Sequence, residues 1–252
     1  MIRSVGLHVS FAGRAVLTGV DLGVSRARST VLIGPSSSGK TVFMKCVAGL
    51  IEPEAGRIEI EGRDTARLTS AERESLADKI SMVFQRNALF DSLSVWENVA
   101  FRPIHNHGMG RSEARAMAIE KLAMFGLRPD VADRFPVEIS GGMQKRVALA
   151  RAFATDPDIL LLDAPTDGLD PIMTHATNDL IRRAVQRGGT TVLSVTGDMR
   201  AALAYYDDLA MLHEGRIVWS GTTAEAGQSD DPRLHQLLSG KSDGPIALRA
   251  RA

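Results

Sequence analysis

Three short stretches of this chain combine residue types that could do chemistry. In GPSSSGKT, Gly34 to Thr41, a glycine is followed by four residues and then Gly-Lys-Thr. Backbone N–H groups of such a loop can wrap phosphates while the following helix presents its positive end to them. Lys40 would reach the β and γ phosphates, and the Thr41 hydroxyl would bind Mg²⁺. In DILLLDAPTDGLD, 158 to 170, an apolar run ends on Asp163. A carboxylate delivered to the same sheet edge suits Mg²⁺, a hard cation that takes oxygen ligands directly or through water. In ISGGMQKR, 139 to 146, Ser140, Gly141 and Gly142 open a helix and make a second anion-binding end.

Those residues need elements to hold them. RSTVLIG, 28 to 34, rises into a β-branched run that stops at Gly34, and a helix is expected from Lys40 to about Leu50. The glycine loop thus falls between a strand and a helix, the context in which its pattern acquires meaning. GRIEIEGRD, 56 to 64, alternates like a half-exposed strand, and KISMVFQ, 79 to 85, reads as a buried strand ending on Gln85. Helical spacing then takes over: Ala114, Ala118, Leu122 and Phe125 recur with Glu113 in the first turn, and ISGGMQKRVALARAFA continues the period through Met143, Val147, Ala150 and Ala154. DILLLD, TTVLSV (190 to 195) and DLAMLHEGRIVWSG (208 to 221) return to strands, the last a hairpin turning at Glu214 and Gly215. Strands separated by helices predict an α/β fold with a mainly parallel sheet, an antiparallel β part at the N-terminus and an inserted helical lobe. The chain from Thr222 onward is polar and shows no clear period.

Composition bounds the rest. The 252 residues are 44% hydrophobic and 24% charged, enough apolar surface for a substantial core. Thirty basic residues balance thirty acidic ones, so nothing in the global field attracts nucleic acid. Cys46, the single cysteine, excludes an intrachain disulfide and reads as a small buried hydrophobe between Phe43 and Val47. No stretch approaches the ~20 apolar residues of a membrane-spanning helix, so a soluble protein is expected, with any membrane role requiring a partner. His105 to His107 lack a third ligand at useful spacing and read as surface residues, and RRAVQR, 182 to 187, reads as the solvated face of a helix. Phe11 fits either a core strand position or a stacking surface.

The glycine loop, ISGGMQKR, ILLLD and DGLDP in this order, with Gln85 between the first two, resemble the nucleotide-binding subunit of ABC transporters from about residue 2 to residue 220. FQRNALFDSLSVWENVAF (84 to 101), GLDPIMTHATNDLI (168 to 181) and GKSDGPI (240 to 246) are similar to the Mla-type ATPases that energise lipid traffic between bacterial inner and outer membranes. The resemblance implies a P-loop NTPase of ABC type: a nucleotide-binding domain over 1–221, a helical lobe over about 88–155 within it, and a C-terminal extension over 222–252. It implies ATP and Mg²⁺ as cofactors, a second nucleotide-binding subunit in a homodimer, and a transmembrane permease at the cytoplasmic face of the bacterial inner membrane. Phe11 would stack on adenine, and Gly34, Pro35, Ser36, Ser37, Ser38, Gly39, Lys40 and Thr41 would hold phosphate. Thr41, Gln85 and Asp163 would serve Mg²⁺. Ser140, Gly141, Gly142 and Gln144 would touch the γ-phosphate bound by the other subunit, and Asp170 would line the dimer seam. Trp96 and Phe101 fit either the core or the surface that receives the permease, and the resemblance favours the surface; the DGPI segment would dock on the neighbouring subunit or stay unordered.

The sequence also departs from the family's pattern. A glutamate that polarises the attacking water is expected after the buried aspartate, and a histidine that contacts the γ-phosphate is expected on a later strand end; Ala164 and Gly197 stand there instead. Losing a positioned general base costs ~10² to 10⁴ in rate, or ~3 to 5 kcal/mol. Asp167 and Asp198 lie close by in sequence, but a displaced carboxylate rarely recovers near-attack geometry. Ser37 replaces the usual glycine, which would strain the loop by ~1 to 2 kcal/mol if that position requires a positive φ. Two readings follow: an ATPase that drives lipid transport, or a clamp that closes on MgATP and opens slowly, acting as a dimerisation switch or as the degenerate partner of an active subunit. ABC ATPases of DNA repair would carry long coiled-coil or zinc-binding insertions, and this chain has neither.

Overall fold

A computed structural model describes residues 1–247. In chain order the strands and α-helices are β1 (Ile2–Phe11), β2 (Arg14–Val24), β3 (Ser29–Ile33), α1 (Lys40–Val47), β4 (Ala55–Ile60), β5 (Arg63–Asp64), α2 (Ser70–Lys79), β6 (Ile80–Val83), α3 (Val95–His105), α4 (Arg111–Met124), α5 (Gly141–Ala152), β7 (Ile159–Asp163), α6 (Pro171–Gly188), β8 (Thr191–Val195), α7 (Met199–Tyr205), β9 (Asp208–His213), β10 (Arg216–Thr222), α8 (Thr223–Ala226) and α9 (Pro232–Ser239). The chain folds as two units, one formed by Met1–Arg73 with the chain from Thr191 onward, the other by Glu74–Thr190.

In the first unit β2, β1, β4 and β5 form an antiparallel sheet in that order. Alternation in GRIEI is why β4 sits there: Ile58 and Ile60 are buried while Arg57 faces out. β3 lies between β8 and β9, parallel to both, and β10 returns antiparallel to β9. Every residue of β3 and of β8 is buried, which is why STVLI and TVLSV read as continuous apolar or β-branched runs rather than alternating ones. The β9–β10 hairpin turns at Glu214 (φ 50°) and Gly215 (φ 76°), as expected. Its turn is fixed to β2 by the Thr18 amide, which donates to the Gly215 carbonyl at 2.8 Å.

In the second unit β6 and β7 pair in parallel, Met82 opposite Leu161, and α3, α4 and α5 pack on one another. Asn98, fully buried on α3, uses its amide to hold the carbonyls of Phe90, Leu93 and Ser94 at 3.0 Å and accepts from the Phe90 amide at 2.8 Å. Trp96 is buried at 8% exposure beneath the Arg111 guanidinium, so it is an interior residue; the exposed aromatic nearby is Phe90, 4.7 Å from Phe101. Arg182, Arg183 and Arg187 lie on the solvent side of α6, whose Ile181 and Val185 are buried. Among the described residues no helix is long and apolar enough to cross a membrane.

The polar C-terminal stretch contains two short helices that periodicity does not reveal. α9 is set by Asp231, which accepts from the amides of Arg233 and Leu234, and by Gly240 at φ 64°. Gln236, 6% exposed, then ties down the segment after it: its amide donates to the carbonyls of Lys241, Ser242 and Ile246, and its carbonyl accepts from the Ile246 amide at 2.7 Å. The DGPI segment is therefore attached to its own chain. Gln236→Ala is expected to expose residues 241–246 to limited proteolysis while lowering global stability by only ~1 kcal/mol.

Candidate functional site

The glycine loop is shaped by its neighbours in the first unit. Gly34 has φ 152°, and a Cβ there would collide with the Leu212 carbonyl; Gly39 has φ 104°, and a Cβ would lie 2.8 Å from Leu17 Cδ2. No side chain caps the α1 N-terminus at Gly39, and no acidic residue lies in its first turn, so its first amides and positive end face the loop uncompensated. The Lys40 ammonium curls into the loop, donating to the carbonyls of Gly34 (2.9 Å) and Pro35 (2.7 Å) and to Ser38 Oγ (3.3 Å). A cleft of about 540 Å³ opens beside it, lined by Ser37 to Val42, by Arg14 to Val16 and by the hairpin turn at Glu214 and Gly215. Phe11 stands at the end of β1 opposite Arg14 and is 48% exposed, which removes the reading of a core strand residue.

Ser37 adopts φ 61°, the left-handed region in which an L side chain is strained. Ser37→Gly should therefore raise stability by ~0.5 to 1 kcal/mol, a rise of ~1 to 4 °C in Tm measurable by calorimetry. Ser36 and Ser37 are exposed, whereas Ser38 is buried and faces the Lys40 head.

Also in the first unit, Gly197 follows β8 and is exposed, and a Cβ added there meets nothing within 4 Å. Asp198 caps α7, its Oδ1 accepting from the amides of Arg200 and Ala201 at 3.0 Å. A carboxylate committed to a cap is poorly placed to act as a general base.

In the second unit β7 delivers Asp163 at 3% exposure, and Ala164 follows at φ 52° and 6% exposure. The Ala164 carbonyl accepts from the Asp167 amide at 3.3 Å and from the Lys145 ammonium at 3.2 Å. Lys145 also donates to the Gln85 carbonyl at 3.0 Å. Burial pushes the Lys145 pKa down, while the carboxylates of Asp167 and Asp163 pull it up. Arg151, on the same helix, donates to the carbonyls of Asn87 and Ala88, each at 2.8 Å. Ser140 caps α5 by accepting from the Met143 amide at 3.3 Å, leaving Gly141 exposed and Gly142 partly so. Gln144 turns back on its own chain, its amide donating to the Pro136 carbonyl at 2.8 Å. Asp170 is exposed and caps α6, accepting from Ile172 and Met173 amides at 3.0 Å.

Sequence reasoning missed Lys145 and Arg151. A signal existed for the first: Lys145 shares one helical stripe with Ala148, Leu149 and Ala152, all buried, and a lysine within an apolar stripe needs a buried partner. Reading the period through Met143 and Ala154 instead, both only half-buried, concealed it.

Chemically, the donor sets suit a nucleoside triphosphate with magnesium. In the first unit an uncapped helix start, a lysine and loop glycines that a Cβ would close fit phosphate, with the Thr41 hydroxyl beside them; in the second, Asp163 carries carboxylate oxygens and Gln85 an amide oxygen of the kind magnesium takes. Among the described residues no cluster of three or more His, Cys, Asp or Glu is present.

Comparison with known proteins agrees. Residues 17–167 match the ABC transporter family. The chain is 36% identical over 250 residues to the intermembrane phospholipid transport system ATP-binding protein MlaF of Haemophilus influenzae, covering 99% of this chain and 94% of that one. It is 38% identical over 244 residues to the probable ribonucleotide transport ATP-binding protein mkl of Mycobacterium tuberculosis, covering 96% and 67%. A dimeric post-hydrolysis structure of the ATP-binding cassette MJ0796 bound to ADP and Pi superposes with a TM-score of 0.83 at 29% identity, covering 88% of this chain and 99% of the other.

Proposed function

The chain belongs to the ABC transporter family, as an ATP-binding subunit of the ATPase type, and from that premise we propose that it serves a lipid transport system by closing as a dimer on MgATP, with hydrolysis slowed by its own residues. The observation that carries this reading is a contrast within one chain. The phosphate loop keeps Gly34, Gly39, Lys40 and Thr41 before an uncapped helix start, whereas Ala164 and Gly197 place a methyl group and a hydrogen where an acid and an imidazole are expected. Binding rests on the first, the chemical step on the second.

In this reading residues 1–221 form the nucleotide-binding domain, with the helical lobe about 88–155 within it, and 222–252 the extension. Gly34 to Thr41 hold the phosphates with Lys40 as their cation, and Phe11 meets the base. Thr41, Gln85 and Asp163 supply oxygen ligands to magnesium, which when bound screens the phosphate charge. Ser140, Gly141, Gly142 and Gln144 present the α5 end to the nucleotide of a second copy, and Asp170 lies at the seam. For Gln144 to do so its amide must leave the Pro136 carbonyl. A membrane-spanning permease subunit completes the transporter at the cytoplasmic face of a bacterial inner membrane. The phospholipid cargo is supported by the similarity to MlaF over almost the full length of both chains.

A second reading, a degenerate subunit that completes its site with an active partner, draws on the same pair of residues, Ala164 and Gly197. Sedimentation of the purified chain with saturating MgATP tests the first reading. A species of twice the 27.1 kDa subunit mass is expected; a chain that binds nucleotide but stays monomeric would leave only the hetero-partner reading, and a chain that binds none would remove both.

A further inference from the structure

Of the cationic side chains on α5 that bond to backbone carbonyls, Lys145 and Arg151 reach the same loop. Lys145 is 4% exposed, and its ammonium bridges the backbone carbonyls of Gln85, just beyond the end of β6, and Ala164, just beyond the end of β7. Six residues along the helix, about one and two-thirds turns, Arg151 spans two further carbonyls of the same loop, Asn87 and Ala88. Those two residues stand side by side in the left-handed region, at φ 61° and 50°, without a glycine to ease it. Such backbone persists only where its surroundings over-determine it, and the guanidinium fork supplies that constraint. Desolvating a lysine and an arginine is costly, and both centres are held without a hydrogen-bonded carboxylate, by carbonyl dipoles. Filling interior volume would be done at less cost by methionine or leucine.

We infer that Lys145 is a positioning residue which, together with Arg151, clamps the 85–88 loop and the residue after β7 to the helix that begins at Ser140. One ammonium joined to both strand ends fixes their spacing, so the Gln85 side chain and the position occupied by Ala164 are presented in register with the α5 N-terminus. A displacement of the loop is then passed to that helix end, and the reverse. The functional part rests on the proposed role of Gln85 toward magnesium; the clamp itself does not.

Two measurements on the full chain separate these. Without nucleotide, hydrogen exchange at amides 86–89 and 166–167 should be about tenfold faster in Lys145→Met, with amides of α4 unchanged and Lys145→Arg close to the parent. Arg151→Met should speed 86–89 but not 166–167. Unaltered exchange in Lys145→Met, or equal acceleration throughout α4, would overturn the clamp as anything more than general support. The second measurement is the gain in ATP affinity on replacing a chelator by magnesium. Gln85→Ala should reduce that gain about fivefold, Lys145→Met should reduce it equally, and the double variant should lose no more than either alone. Far-UV circular dichroism matching the parent in all three shows that they are folded. Additive losses in the double variant overturn the coupling, while an unreduced gain in Gln85→Ala refutes the magnesium role of Gln85 and leaves the clamp to the exchange result.

Discussion

Restoring glutamate at Ala164 and histidine at Gly197 together is expected to raise steady-state ATP turnover by about 10²- to 10⁴-fold, with a much smaller change in KM. The structure permits both changes. Gly197 does not have a left-handed φ, and a Cβ there enters open space, so an imidazole can be carried without moving the backbone. Ala164 already accepts φ 52°, so glutamate inherits a backbone strain that alanine also bears. The new carboxylate would follow Asp163 directly, and like charges side by side resist ionisation, but the Lys145 ammonium 3.2 Å from the Ala164 carbonyl offsets that repulsion. Most of the gain should come from Ala164→Glu, because a base acts in the chemical step itself, and Gly197→His alone should give little. A parent chain that already turns over as fast as the double variant would refute the proposed slow step.

Lys40→Met is expected to weaken MgATP binding by about 10²-fold, or ~3 kcal/mol, as read by titration calorimetry. The Lys40 ammonium donates to two loop carbonyls and a hydroxyl. On binding, phosphate oxygens that carry negative charge become its acceptors, so the variant loses bonds between opposite charges in the complex. Its Tm should therefore move far less than its affinity. Dimer formation at fixed ATP should fall with the affinity, since the second copy closes on bound nucleotide. Affinity within a few-fold of the parent would mean that phosphate is not gripped at Gly34 to Thr41.

Much of this arrangement was legible before any coordinates. The run STVLI, the glycine spacing after it and the buried ILLLD announced the strands and the loop because each obeys a short-range rule of periodicity or steric need. α2 escaped because SAERESLADK buries nothing and so has no apolar stripe; its sign was the pair Thr69 and Glu72, whose side chain accepts from both the amide and hydroxyl of Thr69. α9 escaped for want of length, although Asp231-Pro232 and Gly240 mark its two ends. The strain at Ser37 could be written only as a condition, because φ is not a property of residue type except in glycine and proline. The grip of Lys145 on two carbonyls distant in sequence was least accessible, since backbone acceptors carry no residue identity to recognise.

The most direct test of the central claim is the chemical state of the nucleotide held by the parent chain. The protein is incubated with MgATP, the dimer fraction is isolated and acid-quenched, and the released nucleotide is identified by chromatography. Intact ATP is expected in that fraction at times when the double variant at 164 and 197 has converted its own to ADP; ADP in the parent's dimer at those same times would contradict the account.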